Sequence, residues 1–299
     1  GSNSKFLSSD VITQFRGRGD EIHVYPLSFS EYVPACQGSV DEAWDDYLIY
    51  GGMPLILTMA EPEDKAAYLN ALFQKVYISD IVERHDVRNK VELDELVDIL
   101  ASAIGSYTNQ SKLVRTFKSV KGKTISDKTI KNYIDYLIDS FLISKAVRYD
   151  IKGKKYIGSP SKYYFEDVGL RNARLGFRQV EQTHLMENII YNELRIRGYH
   201  VDVGVVEYYG ANREGKRGKK QLEVDFVATK GSEKHYIQSA FTLPTADKVD
   251  QEQRSLLRIP DSFRKIVIVG DNIKVRRDEN GIITIGLRNF LLDENSLRL

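Results

Sequence analysis

Between Glu223 and Ala240 the chain reads EVDFVATKGSEKHYIQSA, and its alternation leaves few structural options. Leu222, Val224 and Phe226 are apolar while Glu223 and Asp225 between them are polar; after a Lys-Gly-Ser turn, Tyr236 and Ile237 precede Gln238. A period near two interrupted by a glycine turn is the pattern of a β-hairpin, because successive side chains on a strand face opposite ways. Asp225 is therefore placed on one strand and Gln238 on the next. A lone hairpin cannot bury its apolar face, so the surrounding chain has to cover it. Upstream, Leu185, Ile189, Ile190 and Leu194 recur at helical spacing over residues 184–197, with Gly198 as the stop. Residues 199–206 read as a strand, 210–220 as a polar loop, 251–257 as a helix, 265–269 as a buried strand and 282–287 as a further strand.

Helix, strand, loop, hairpin, helix, strand is the order of the restriction-endonuclease-like fold, and the hairpin resembles the metal-binding hairpin of PD-(D/E)xK nucleases. In that family two carboxylates hold Mg²⁺ and a lysine polarises the attacking water. The resemblance implies a catalytic set of Glu187 on the helix and Asp225 on the first strand, with Gln238 and Ala240 in the Glu and Lys positions of the second strand. Gln238 brings no negative charge and Ala240 cannot orient water, so a degenerate, inactive site without a metal is expected. Lys220 and Lys230 are the candidates to replace the lost lysine. Glu223 is expected on the side of the strand away from Asp225. Arg213, Lys216, Arg217, Lys219 and Lys220 form the densest basic run of the chain and are a candidate phosphate contact beside the hairpin.

Residues 93–175 carry a second pattern. Leu93, Leu96, Val97, Leu100 and Ile104 form one helical stripe, Ser111 opens a second helix with Leu113, Val114 and Phe117, and Ser126 caps a third with Ile130, Tyr133, Ile134, Leu137 and Phe141. Two short strands follow, 142–149 and 162–165, around a Lys-Gly-Lys turn. Three helices and a two-stranded wing are expected to form a winged-helix domain. Its DNA-binding reading places Lys128, Lys131 and Asn132 on the outer face of the third helix and Lys152, Lys154 and Lys155 on the wing. Asp135 and Asp139 on the same helix oppose that reading, and a packing module with solvated lysines is its alternative.

Residues 33–92 are read as a helical lid, with an apolar stripe through Trp44 and Leu48 over 40–50, a Gly51-Gly52 stop before Pro54, and a longer amphipathic run over 64–82. The opening residues GSNS, then FRGR, then a strand ending in PLSFSEY, resemble the last third of the ATPase core in a bacterial and archaeal AAA-type family that carries a domain-of-unknown-function region behind the ATPase. The stretches Tyr50-Gly51-Gly52-Met53-Pro54, Asp80-Ile81 and Asp167-Val168-Gly169-Leu170-Arg171-Asn172-Ala173 extend that resemblance over essentially the whole chain. It implies that residues 1–32 are a remnant of the core, with Asn3 and Ser4 at a sensor strand and Arg16 and Arg18 at an arginine-finger position, all four nucleotide-sensing. No G-x-x-x-x-G-K-[ST] loop occurs in the 299 residues, so ATP and Mg²⁺ are expected to serve the parent protein and no cofactor is expected here.

The organisation expected is thus multidomain α/β: a mostly helical N-terminal half with a winged helix, then a restriction-endonuclease-like α/β domain over 176–299. With 43 basic and 42 acidic residues the net charge is +1, so any nucleic-acid contact has to be local. The single cysteine, Cys36, excludes an internal disulfide and a cysteine-based zinc cluster. There is no apolar run of membrane-spanning length, and a cytoplasmic location is expected. The function expected is a non-catalytic interaction portion of an AAA-type ATP-binding protein, with DNA, a protein partner or a second copy joined through the ATPase core as candidate partners. An active metal-dependent nuclease and a protein-interaction platform without nucleic acid are the alternatives.

Overall fold

The computed structural model describes residues 22–122, 124–211 and 217–298. Most of the segment read as an ATPase remnant, including Asn3, Ser4, Arg16 and Arg18, lies outside them, as do Arg213 and Lys216. The chain divides into two compact units: one takes residues up to 145 and 163–180, the other takes 146–162 and 181 onward. The molecule is mixed α/β, a helical first half followed by a mixed eight-stranded sheet.

The first unit contains α1 (Phe29–Tyr32), α2 (Val40–Tyr50), α3 (Pro62–Ala71), α4 (Ser79–Arg84), α5 (Lys90–Ser102), α6 (Gln110–Lys121), α7 (Asp127–Asp139) and α8 (Val168–Arg174). Local chemistry sets several of these limits. Ser39 and Glu42 close a capping box on α2, with Ser39 N–H donating to Glu42 Oε2 at 2.7 Å, and Gly51 stops the helix at φ 73°. The run expected as one helix over 64–82 is broken by wider, π-type turns at Leu72–Ile78. Its buried residues show why: Leu69, Phe73, Ile78 and Ile81 are spaced by four, five and three, and the five-residue step needs the wider turn to keep one face inward. The second helix of the three-helix group starts from Asn109, whose Oδ1 accepts the Lys112 amide at 2.7 Å, rather than from Ser111.

The motif at 167–173 ties this unit together through side chains bonded to backbone groups elsewhere in it. Asp167 caps α8, accepting the Leu170 amide at 2.9 Å, and also accepts the Gly52 amide at 2.7 Å. Asn172 Nδ2 donates to the carbonyls of Leu48 and Ile49 at 3.1 and 2.9 Å, which the end of α2 leaves without helical partners. Arg171 Nε donates to the Ala101 carbonyl at the end of α5, at 2.9 Å. A Cβ at Gly169 would stand 1.9 Å from the Tyr50 carbonyl oxygen, and one at Gly52 would stand 2.2 Å from that of Leu27, so these glycines are close-approach points between backbones.

The sheet consists of β1 (Ile143–Asp150), β2 (Lys155–Phe165), β3 (His200–Ala211), β4 (Arg217–Lys230), β5 (Glu233–Ala240), β6 (Arg264–Val269), β7 (Arg276–Arg277) and β8 (Ile283–Gly286), in the order β2-β1-β3-β4-β5-β6-β8-β7. The hairpin expected as a free wing is instead the sheet's edge: β1 pairs in parallel with β3, Tyr149 opposite Gly204. The three helices preceding it belong to the first unit, and its turn with Lys152, Lys154 and Lys155 belongs to the second. In the second unit α9 (Gln182–Ile196) buries Leu185, Ile189, Ile190 and Leu194 as its spacing predicts, and its Tyr191 ring lies 6.3 Å from that of Phe226 on β4. Val206, Val224, Val227, Tyr236, Leu256 and Val267 belong to the apolar cluster, which takes Leu256 and Ile259 from the turn that follows α10 (Ala246–Gln253). Of residues 210–220, expected as a polar loop, those described, 210–211 and 217–220, are the ends of a long antiparallel ribbon, with Tyr208 opposite Lys220 and Gly210 opposite Gly218. The final strand is shorter than 282–287, since α11 (Leu287–Leu292) begins where β8 ends.

Candidate functional site

The hairpin places its polar residues as the alternation requires. β4 and β5 are antiparallel with Phe226 opposite Ile237, which sets Asp225 across from Gln238. The Asp225 carboxylate accepts the Ser239 amide at 2.8 Å. The Gln238 side-chain oxygen lies 3.4 Å from both the Asp225 amide and the Ser255 hydroxyl, so the sequence-predicted acid and amide are joined through β5 and its neighbours. Glu187 projects from α9 toward the same face and is buried with Asp225.

Between these groups stands a lysine that the hairpin pattern does not contain. Lys162, near the end of β2, is 3% exposed, and its ammonium bonds Glu187 Oε1 at 2.8 Å and Glu223 Oε1 at 2.6 Å. Glu223 is therefore on the same side as Glu187, contrary to the expectation that it points away. The reason is the strand period itself: positions 223 and 225 are two apart and share a face. The replacement candidates Lys220 and Lys230 do not reach the cluster. Lys220 lies on the far part of the ribbon, about 17 Å along the strand from Asp225 at the usual rise per residue. Lys230 donates to the Arg197 carbonyl at 2.6 Å and lies over the Tyr199 ring, closing the end of α9. Ala240 is buried in the apolar cluster. Sequence reading misses Lys162 because its strand is 61 positions before Glu223 and nothing local marks it as a partner of the hairpin.

The electrostatics follow from burial and proximity. Desolvation pushes the Asp225 carboxyl well above the usual carboxylate range, and Glu187 and Glu223 add to that while Lys162 opposes it. Burial alone would lower the Lys162 ammonium, but the carboxylates of Glu187, Asp225 and Glu223 outweigh it and hold the group above its ordinary value. The cluster thus carries its own cation. A divalent ion needs converging carboxylate oxygens with free lone pairs; here the ammonium takes one oxygen of Glu187 and one of Glu223, and the Ser239 amide takes one of Asp225. Among the described residues no group of three or more His, Cys, Asp or Glu side chains is arranged to hold a metal ion. The donor set does not fit Mg²⁺ in this arrangement.

The basic residues expected to meet phosphate fall in two places. Lys128 and Lys131 are exposed on α7 with Asn132 half-buried beside them, in the first unit. Lys152, Lys154 and Lys155 are exposed at the β1–β2 turn of the second unit. On the ribbon, Lys219 is tied to Glu207 at 2.5 Å, Lys220 stands opposite Tyr208, and Arg217 opposite Ala211. The structure adds two cations not singled out in the sequence: the guanidinium of Arg258 lies 4.2 Å from the centre of the Tyr208 ring and that of Arg254 5.9 Å from it. Both follow α10, one turn apart, a spacing that brings them to one side of the ribbon.

Residues 41–181 match a family described as a domain of unknown function, DUF8612, and residues 182–290 match another, DUF4143. The junction falls beside the 180/181 division between the two compact units. An uncharacterized protein of Haemophilus influenzae is 35% identical over 297 residues, covering 98% of this chain and 70% of that protein. Uncharacterized protein MJ1544 of Methanocaldococcus jannaschii is 27% identical over 287 residues, covering 92% of this chain and 61% of its own length. Among solved structures, protein VC1899 from Vibrio cholerae aligns over 93% of this chain and 62% of its own, at 13% identity and a TM-score of 0.28, a likeness too weak to carry an argument.

Proposed function

The chain belongs to the protein family represented by the Haemophilus influenzae relative, and from that premise we propose that it is the non-catalytic portion of an AAA-type ATP-binding protein, one that holds DNA without cutting it. The observation that carries this reading is the Lys162 ammonium bonded between Glu187 and Glu223, in the place where a nuclease of the resembled type would hold its metal. DUF4143 domains commonly accompany AAA ATPases, which supports the parentage. In this reading ATP and Mg²⁺ are bound by the ATPase core of the parent protein. The helices α5, α6 and α7 act as the helical part of a winged-helix module, and the second unit is a nuclease-like scaffold whose chemistry has been lost. Exposed Lys128, Lys131, Lys152, Lys154, Lys155 and the Arg254–Tyr208–Arg258 edge supply the phosphate contacts.

A second reading is favoured by the same lysine. In an active metal-dependent nuclease, Lys162 beside Glu187 would supply the cation that Ala240 lacks. Incubation of plasmid and linear DNA with Mg²⁺ or Mn²⁺ separates the two. The proposal requires intact DNA together with binding that weakens as salt rises; cleavage that disappears in Asp225→Ala establishes the nuclease instead. Failure to bind any nucleic acid at low salt leaves a protein-interaction platform.

A further inference from the structure

On a different part of the second unit, the β4–β5 turn and the start of β6 border an open groove of about 420 Å³ lined by Glu233, Lys234, His235, Phe263, Arg264 and Arg298. His235 is 4% exposed, and neither of its ring nitrogens has a hydrogen-bond partner. The Glu233 carboxylate stays 3.9 Å from Nε2, too far for a hydrogen bond, and the Tyr199 ring meets the imidazole edge-on at 5.6 Å. Burial, then the charge of Arg264, lowers the imidazole's pKa, so at neutral pH it carries one N–H and one lone pair, both unused. Buried ring nitrogens without a partner are uncommon in folded proteins.

The surroundings say which ligand. Arg264 stands beside His235 across the β5–β6 ladder and gives one N–H to the Leu297 carbonyl at 2.6 Å, which leaves most of its donor fork for other groups. Arg298 reaches Glu233 at 3.2 Å, and Glu233 also accepts the Tyr199 hydroxyl at 2.9 Å. The Lys234 ammonium lies 4.9 Å from the centre of the Phe263 ring. Three cations against one carboxylate leave two positive charges, the complement of a phosphate monoester dianion rather than of a carboxylate. The volume is that of a small-molecule pocket, and Phe263 gives it one apolar wall.

We propose that this groove binds a small phosphate monoester, its phosphate held by Arg264 and Arg298 next to the His235 ring, with Phe263 against the organic group. The site is independent of whether the second unit meets DNA. The test is an NMR titration of the ¹⁵N-histidine-labelled chain with phenyl phosphate and with inorganic phosphate, against sodium chloride at matched ionic strength. The expected result is a saturable shift of the His235 ring nitrogens with both phosphates and none with chloride, and a tenfold or greater loss of affinity in Arg298→Ala at unchanged melting temperature. Arg298 is largely exposed, so its truncation is compatible with folding; the wild-type titration reads the site directly in any case. A shift matched by chloride, no shift at His235, or full affinity in Arg298→Ala overturns the proposal. A 5′-phosphorylated oligonucleotide that shifts His235 where phenyl phosphate does not overturns it too, by assigning the phosphate to a polynucleotide end.

Discussion

Asp167 accepts the amide of Gly52 at 2.7 Å across 115 positions of sequence. Desolvation pushes its carboxyl up to about 6 from an ordinary 3.8, while the amides of Gly52, Leu170 and Gly169 pull the other way. Because the folded pKa is the higher one, the native state binds more protons than the unfolded chain between these values. The stabilisation linked to this proton is complete below pH 3.8 and lost as pH rises through about 6. A shift of about two units corresponds to roughly 3 kcal/mol. Urea unfolding of wild type and Asp167→Asn at a series of pH values checks it: the wild-type stability curve should fall more steeply from pH 4 to 7 than the variant's, and equal slopes refute the assignment.

The same contact region predicts a hierarchy of glycine substitutions. Gly169→Ala and Gly52→Ala drive a Cβ into a backbone carbonyl oxygen, at 1.9 and 2.2 Å, where no flexible side chain can yield. Each should cost about 3 kcal/mol or more, or abolish soluble expression. Gly218→Ala meets nothing within 4 Å and has an ordinary φ, so it should change stability by no more than about 0.5 kcal/mol. Thermal unfolding of the three variants side by side measures the order, and a Gly169→Ala protein as stable as Gly218→Ala contradicts it.

What the sequence made legible is what local physics determines. The α2 limits, the buried stripes of α5, α7 and α9, and the hairpin with Asp225 opposite Gln238 are written in caps, glycine stops and side-chain periods that a window of a dozen residues contains. The ribbon ends at 210–211 and 217–220 were hidden because glycines and like charges lower strand propensity, while the ladder that holds them comes from pairing across the sheet. Pairing of β1 with β3 and the arrival of Lys162 at Glu187 are long-range events that no period records. Glu223 is a different case: its partner was distant, but its face was already given by the strand period.

Lys162 predicts a charge-dependent stability. Its folded pKa lies above the ordinary 10.5, so its contribution is complete below that value and persists through neutral pH. Lys162→Met leaves Glu187 and Glu223 facing one another in a site that is nine-tenths closed to solvent at Glu187, and should cost about 3–5 kcal/mol at neutral pH. The loss should shrink at acid pH, where the carboxylates take up protons, and also in the double variant Lys162→Met/Glu187→Gln. A double-mutant cycle by urea unfolding measures the coupling; additive losses show that the ion pair is not what holds this corner of the sheet.

Arg254 and Arg258 separate two routes by which DNA could be held. Their guanidinium groups stack beside Tyr208 at the ribbon, in the second unit, whereas Lys128 and Lys131 lie on α7 in the first. Phosphate contacts release counterions, so each cation lost should reduce the slope of log affinity against log salt by about 0.7 to 0.9. If the ribbon carries the contact, Arg254→Ala/Arg258→Ala should lower that slope by about 1.4 to 1.8 units in fluorescence anisotropy with a labelled oligonucleotide, while Lys128→Ala/Lys131→Ala leaves it in place. The reverse pattern assigns the contact to the winged-helix module. Equal, partial losses from both pairs mean that each surface contacts DNA, and a slope unmoved by either pair removes DNA holding by both surfaces.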